Sequence, residues 1–304
     1  MFKNVRQLHI EPTSLCNAEC PMCARNVNGV GLNPHITLKS LTKKWFKDNL
    51  AQEQVEKLQK IFFCGNVGDP AATPELLEII EYLKSVNPDI VIGINTNGGL
   101  KTPSWWSRLG QLLDGNLDYC VFSIDGLEDT NHIYRRNVNW NKIMENAESF
   151  ISTGASAHWD MLVFKHNNHQ VDEARKLADR MKFTWFRTKE TDRWDTYTTG
   201  LGLLPPGELT PPSYGKNVSC EKDRDHSMFL DYTGKLWPCC HMAEAYLNKI
   251  GEELHKDIKE FSNQQLLTEY KTRLENHEPF FICRRACGKH TGKRSQWKKE
   301  EKLR

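Results

Sequence analysis

Cys16-Asn17-Ala18-Glu19-Cys20-Pro21-Met22-Cys23 follows directly on a short apolar strand pattern, Leu8-His9-Ile10. The spacing is Cys-x3-Cys-x2-Cys. Thiolates are soft ligands and suit iron–sulfur clusters. Three cysteines leave one iron of a cubane cluster without a protein ligand. An iron left open is a place for a small molecule, by the logic that separates catalytic from structural zinc sites. A structural zinc is the competing reading. It calls for a fourth ligand, and His9 and His35 stand outside any usual zinc spacing.

The chain has 304 residues, enough for one large domain and a small one. Mean hydropathy is −0.63. No apolar run approaches the length of a spanning helix, so a soluble chain with no membrane partner is expected. The start, Met1 to Gln7, lacks the apolar core of a signal peptide, which predicts a cytoplasmic protein. A net charge of +2 gives no reason to expect nucleic acid. Ten cysteines without a secretion signal argue against a disulfide framework. Cys16, Cys20 and Cys23 group early; Cys220, Cys239, Cys240, Cys283 and Cys287 group late. Grouped cysteines in a reducing compartment point to metal. Cys120 reads as a small buried hydrophobe, and Cys64 as a packed thiol at a strand end.

Working outward, the first two-thirds alternates strand and helix patterns. Strands are predicted at residues 7–10, 61–64, 90–95, 119–124, 158–164 and 183–186. Helices are predicted at 74–86, 140–151 and 171–181. In the first helix Leu76, Leu77, Ile79, Ile80 and Leu83 recur at helical spacing. Buried strands alternating with helices imply an α/β fold with a parallel sheet. Right-handed crossovers curl such a sheet toward a barrel, and ligands bind beyond its carboxyl ends. Residues 1–190 are therefore a core domain. Pro205, Pro206, Pro211 and Pro212 break any element, which makes 191–219 a linker. Residues 220–290 form a second unit. The segment 291–304 is basic and is expected to be a solvated, partly disordered tail.

The strand ends carry further motifs. After the second strand comes Gly65-Asn66-Val67-Gly68-Asp69, where glycines admit a close approach and Asp69 can accept from an ammonium. After the third comes Asn95-Thr96-Asn97-Gly98-Gly99, a polar turn. The fourth ends Ser123-Ile124-Asp125-Gly126, followed by Tyr134-Arg135-Arg136, and the fifth leads into Lys165-His166-Asn167. Each segment alone is an ordinary turn. In this order, downstream of the cysteine triplet, they resemble the radical S-adenosylmethionine (SAM) enzymes.

That resemblance implies a partial (β/α)6 TIM-like barrel and a [4Fe-4S] cluster on Cys16, Cys20 and Cys23, whose open iron chelates SAM. In the family an electron from the cluster cleaves SAM to methionine and a 5′-deoxyadenosyl radical. It implies that Gly68 and Asp69 meet the SAM amino group, with Asp69 standing where the family carries Glu. It implies a cofactor-binding role for Thr96, Asn97 and Asp125 and for Ser123 at the ribose. Arg135 would pair with the SAM carboxylate, with Arg136 as the alternative, and Asn167 would flank the adenosine. No side chain is assigned a catalytic role. A reducing partner such as flavodoxin or ferredoxin is implied.

Cys220, Gly234 and Cys239 form Cys-x13-Gly-x4-Cys around a hairpin pattern, Met228 to Trp237. This resembles the opening of the SPASM motif. Too few cysteines remain for the full motif, so the implied form is the shorter Twitch domain. Its one auxiliary [4Fe-4S] cluster would sit on Cys220, Cys239, Cys283 and Cys287, with Cys240 as a substitute ligand or a neighbouring thiol. Zinc on the same four cysteines is the bland alternative. The expected function is hydrogen abstraction from a peptide, protein or small molecule, with the auxiliary cluster assisting oxidation or substrate binding. The start of the chain, close before the triplet, weighs against a leader-peptide substrate. The other reading is a non-catalytic iron–sulfur or zinc protein, an electron carrier or scaffold.

Overall fold

The structure, a computed structural model, describes residues 5–27, 29–191, 203–207, 218, 220, 225–247, 263–287 and 297–304. A nine-stranded sheet organises them. Six parallel strands come from the first two-thirds: β1 (Gln7–Ile10), β2 (Lys60–Phe63), β3 (Val91–Thr96), β4 (Tyr119–Ser123), β5 (Ala157–Leu162) and β6 (Trp185–Lys189). They stand in sequence order across the sheet, as successive right-handed crossovers require. The partial barrel expected from the pattern is present.

The helices follow local signals. Leu76–Val86 buries Leu76, Ile79, Ile80 and Leu83, one stripe at three- and four-residue spacing. Trp140–Ile151 starts at Asn139, whose side chain accepts from Lys142 N. Lys43–Asn49 is capped by Thr42 in the same way, and Pro103–Leu112 opens on proline. Their stripes meet the outer face of the sheet, where Ile10, Ile61, Phe63, Ile92, Phe122, Trp159 and Phe186 are almost wholly buried. Each such side chain contributes about 1.5–3 kcal/mol. Alternate residues face the lumen instead, and there the strands carry His9, Asn95, Ser123, His158, Asp160 and Arg187, all but Asp160 only half-buried.

The sheet extends past the core at both edges. The hairpin of β7 (Ser227–Leu230) and β8 (Leu236–Trp237) forms where its pattern placed it. Yet β7 also pairs parallel with β1, Gln7 opposite Ser227 and Ile10 opposite Leu230. At the other edge β9 (Trp297–Lys302) pairs antiparallel with β6. This corrects the solvated tail: its charged side chains suit an edge strand, and Arg175–Glu301 and Arg304–Asp179 ion pairs hold it to the helix Val171–Arg180. Most of 191–219 lies outside the described residues, but Leu203 is buried in the main core and Leu204 O accepts from Lys165 N.

Residues from β7 onward build a second, smaller core. Phe229, Trp237, Met242, Ala243, Tyr270, Phe280 and Cys283 pack together there. Helices Cys240–Leu247, Asn263–Glu275 and Phe281–Cys287 supply most of it. Among the described residues no helix is long and apolar enough to cross a membrane.

Candidate active site

The cysteine loop leaves the end of β1 and is fixed by its neighbours. Glu11 is fully buried, and its Oε1 accepts from Val67 N at 2.7 Å and Gly68 N at 3.1 Å. That pins the loop after β2 against the loop after β1. Only glycine fits the contact: a Cβ on Gly68 would lie 1.8 Å from Thr13 O. Asp69 N then donates to Leu15 O at 2.8 Å, one residue before Cys16.

Asp69 joins this loop to the turn after β3. Its carboxylate accepts from Ala71 N at 2.9 Å, Thr96 Oγ1 at 2.8 Å and Asn97 N at 2.7 Å. It is buried, and an ammonium arriving there would share oxygens already occupied. Asn97 carries the connection to the sulfurs: its Nδ2 lies 2.9 Å from Asn17 Oδ1 and 3.7 Å from Cys16 Sγ.

On the far side of the triplet stands Arg135. Its Nε donates to Asp125 Oδ2 at 2.6 Å and its Nη1 lies 4.0 Å from Cys20 Sγ. Burial opposes the guanidinium's charge, and Asp125 with Cys20 more than offsets that. Burial raises the Asp125 carboxyl, and Arg135 opposes that rise. Arg136 turns elsewhere, its Nη1 3.5 Å from Gly29 O. Arg135 is the one of the two beside a cavity of about 160 Å³ lined by Ser123, Asp125, Arg135, Asp160, Met161 and Leu162. Asn167 is fully buried beneath it. Its Nδ2 donates to the Asp125 and Leu162 carbonyls and its Oδ1 accepts from Phe164 N, so it holds two strand ends together.

Asp160 escaped the sequence reading. It lies in the cavity wall, gripped at 2.6 and 2.9 Å by the fork of Arg187 on the next strand. Burial lifts its carboxyl to about 6 against the pull of Arg187. The available signal was a charged residue in mid-strand between apolar Trp159 and Met161.

Burial pushes the Cys16 thiol upward, with Asp69 adding to it, and the Cys20 thiol up to about 12. Such thiols stay protonated alone and lose their protons to a bound cation. The donors around them suit thiolates: besides Asn97 and Arg135, Ala18 N points at Cys16 Sγ from 3.3 Å. A single zinc needs sulfurs about 3.8 Å apart, whereas each cysteine of a cubane binds its own iron and stands further off. Among the described residues no three His, Cys, Asp or Glu side chains converge as on one ion. The donor set fits a [4Fe-4S] cluster on Cys16, Cys20 and Cys23.

The late cysteines meet in the second core. Cys220, Cys239, Cys240 and Cys283 pack in it. Burial raises Cys239 well above its ordinary value, and Cys240, Cys283 and Cys287 add to the rise. Burial lifts Cys283 to about 12, with Cys287 and Cys220 adding. Tyr270 Oη donates to Cys220 Sγ at 2.6 Å, a contact with no sequence motif behind it. None of the ten cysteines is in a disulfide. Asn66 lies between the two sets: Cys23 Sγ is 3.8 Å from its carbonyl, and its Nδ2 donates to Cys240 O at 3.0 Å.

The radical SAM superfamily model matches residues 10–178, more than half of the chain, and the chain belongs to that superfamily. A tungsten-containing aldehyde ferredoxin oxidoreductase cofactor-modifying protein of Pyrococcus furiosus is 27% identical over 133 residues, 42% of this chain and 33% of that protein. The chain thus spans about a third of that curated relative. Streptococcus suis SuiB bound to precursor peptide SuiA is similar with TM-score 0.56 and 15% identity, over 81% of this chain and 61% of that one. Native anSMEcpe with bound AdoMet (SAM) gives TM-score 0.55 and 15% identity over 92% and 89%. BtrN in complex with AdoMet and 2-DOIA gives 0.50 and 16% over 95% of each. At these identities the likeness is one of fold.

Proposed function

We propose that this chain is a SAM-cleaving enzyme that abstracts hydrogen from a substrate held at the barrel mouth. The observation that carries the reading is Arg135, paired with Asp125 and reaching toward Cys20 Sγ beside the cavity. Cys16, Cys20 and Cys23 hold the first [4Fe-4S] cluster. Bound there, the cluster supplies the electron for reductive cleavage of SAM. The chain's own groups bind and orient. Arg135 meets the SAM carboxylate, since a planar fork suits two oxygens. Gly68 and Asp69 lie at the amino end, with Thr96 and Asn97 beside them. Ser123 donates to the ribose, with Asp160 as a further acceptor, and Asn167 shapes the wall through Asp125. The loops tied by Glu11 and Asp69 hold the cysteine loop in place.

The second core is a Twitch-type domain, and Cys220, Cys239, Cys283 and Cys287 hold an auxiliary [4Fe-4S] cluster. Cys240 stands next to it. This cluster accepts the electron left on the substrate or helps hold the substrate. SuiB and anSMEcpe have been seen with peptides and BtrN with 2-DOIA, so the substrate is a peptide, a protein or a small molecule. Anaerobic reconstitution should load about eight irons. Reduced protein given SAM should release 5′-deoxyadenosine. A loaded sample that makes none returns the chain to the class of non-catalytic iron–sulfur proteins.

A further inference from the structure

Exposed apolar surface is concentrated in one loop. Among the described residues the exposed large hydrophobic side chains are Val27, Val30, Leu32, Leu38, Leu117 and Phe281, and four of these six lie between positions 27 and 38. Val30 is 69% exposed and Leu38 54%. Apolar side chains grouped in this way mark interaction sites.

The loop is built onto the cysteine triplet. An antiparallel bridge joins Asn26 and Leu32, and Val27 N donates to Gly31 O at 3.2 Å. Gly29 has φ 66°, and a Cβ on it would lie 2.9 Å from Pro21 Cα. Asn26 N donates to Cys23 O at 3.0 Å and its Nδ2 to Cys20 O at 3.4 Å. The apolar tip therefore rests on the backbone of Cys20–Cys23. Charge along this stretch of sequence has one sign. From Cys20 to Lys47 the chain carries Arg25, Lys39, Lys43, Lys44 and Lys47 and no Asp or Glu. Lys39, next to Leu38, is exposed; Lys44 is offset by Asp48.

We propose that this surface docks an acidic electron-transfer protein that reduces the cluster on Cys16, Cys20 and Cys23. The inference rests on the functional reading above. An apolar centre with an exposed lysine beside it suits a partner with an apolar centre and an acidic rim. The position singles out an electron donor over a substrate. The patch shares no residue with the cavity of Ser123, Asp125, Arg135 and Asp160, yet it touches the Cys20–Cys23 backbone. One electron leaves the donor and one enters the cluster; breaking one carbon–sulfur bond of SAM consumes it.

The test uses reconstituted holoenzyme and two reductants, dithionite, which needs no docking surface, and reduced flavodoxin. The variants are Val30→Glu/Leu38→Glu and Lys39→Glu, with Leu117→Glu as an exposed apolar control elsewhere. With dithionite all should release 5′-deoxyadenosine at the rate of the parent. With limiting flavodoxin the double variant should fall about tenfold or more, as for loss of central interface contacts. Lys39→Glu should fall by about threefold, and added salt should slow the parent. Leu117→Glu should not change. Equal flavodoxin rates in all variants would overturn the proposal. So would intact flavodoxin rates with lost peptide binding, which would assign the patch to substrate. If even the parent makes no 5′-deoxyadenosine with dithionite, the functional reading fails, and calorimetric binding of flavodoxin to parent and double variant still decides the docking site.

Discussion

The two cysteine centres are built in different ways. The first sits on loops at the ends of β1 to β4, and polar side chains reach its sulfurs or stand beside them: Asn17, Asn97, Asp69 and Arg135. The second sits in an apolar core of its own, lined by Trp237, Met242 and Phe280, where the Tyr270 hydroxyl donates to Cys220 Sγ. A centre that must admit a charged small molecule needs pre-formed polar partners around an open position. A centre that only holds or passes an electron needs burial and few donors. On the function proposed above, the first lining suits a reaction site and the second a support site.

The sharpest way to break this comparison is to remove one centre. Replacing Cys16, Cys20 and Cys23 by Ala should abolish 5′-deoxyadenosine formation and lower the iron content from about eight to about four. The second core shares no cysteine with the first, so its spectrum should persist. Loss of all iron in that variant would show that the centres are not independent.

Arg135 comes next. Arg135→Ala should weaken SAM binding by roughly 1.5–3 kcal/mol, read by anaerobic titration. It should also lower stability by about 3 kcal/mol, because Asp125 is left buried without its partner. Adding Asp125→Asn should restore most of the stability and none of the affinity. Full recovery of both would make the pair structural only. Arg136→Ala should leave affinity unchanged, since Arg136 reaches Gly29 instead.

Glu11 tests the packing beneath the first centre. Burial, with Asp231 adding, raises its carboxyl to about 8 against the donors Val67 N and Gly68 N. The folded chain thus keeps a proton that the unfolded chain releases near the ordinary carboxylate range. This group's contribution is complete below that range and is lost as pH rises through about 8. Between about pH 6 and pH 8 the holoenzyme should lose roughly 2–3 kcal/mol of stability, measured by thermal unfolding. Glu11→Gln should flatten the slope. An unchanged slope would mean that Glu11 is ionised in the folded chain.

The smallest expected effect is at the second centre. Tyr270→Phe removes a hydrogen bond to Cys220 Sγ, which favours the reduced, more negative cluster. The midpoint potential should fall by about 40 mV, the equivalent of about 1 kcal/mol for one electron. Iron content should not change. A drop in iron would make Tyr270 a packing residue.

Strand positions were legible because buried parallel strands are short apolar runs. β1 lies at its predicted bounds, and the ends of the others are displaced by up to three residues. The pairing of β7 with β1 was not legible. Alternation and turn chemistry reveal a hairpin, but not which distant edge it joins. The β9 segment, Trp297-Lys298-Lys299-Glu300-Glu301-Lys302, reads as a charged run because an edge strand covered on one side needs little apolar content. At the site, the cysteines announce themselves by chemistry and spacing, whereas Arg135 was reached through the family resemblance, with Arg136 as the alternative. Asp160 and Tyr270 matter through where the fold places them, Asp160 by strand register with Arg187 and Tyr270 by helix packing against Cys220.

The pairing of Gln7 with Ser227 also sets the order in which the molecule can assemble. On the ribosome β1 emerges first, yet one of its edges stays without a partner until the hairpin far downstream appears. At about 5–20 residues per second, that interval is on the order of ten seconds or more. β6 waits in the same way for β9. A half-made chain therefore displays two open sheet edges, the templates that recruit unwanted strands. Until those edges close, the nascent chain needs shielding that the finished barrel does not.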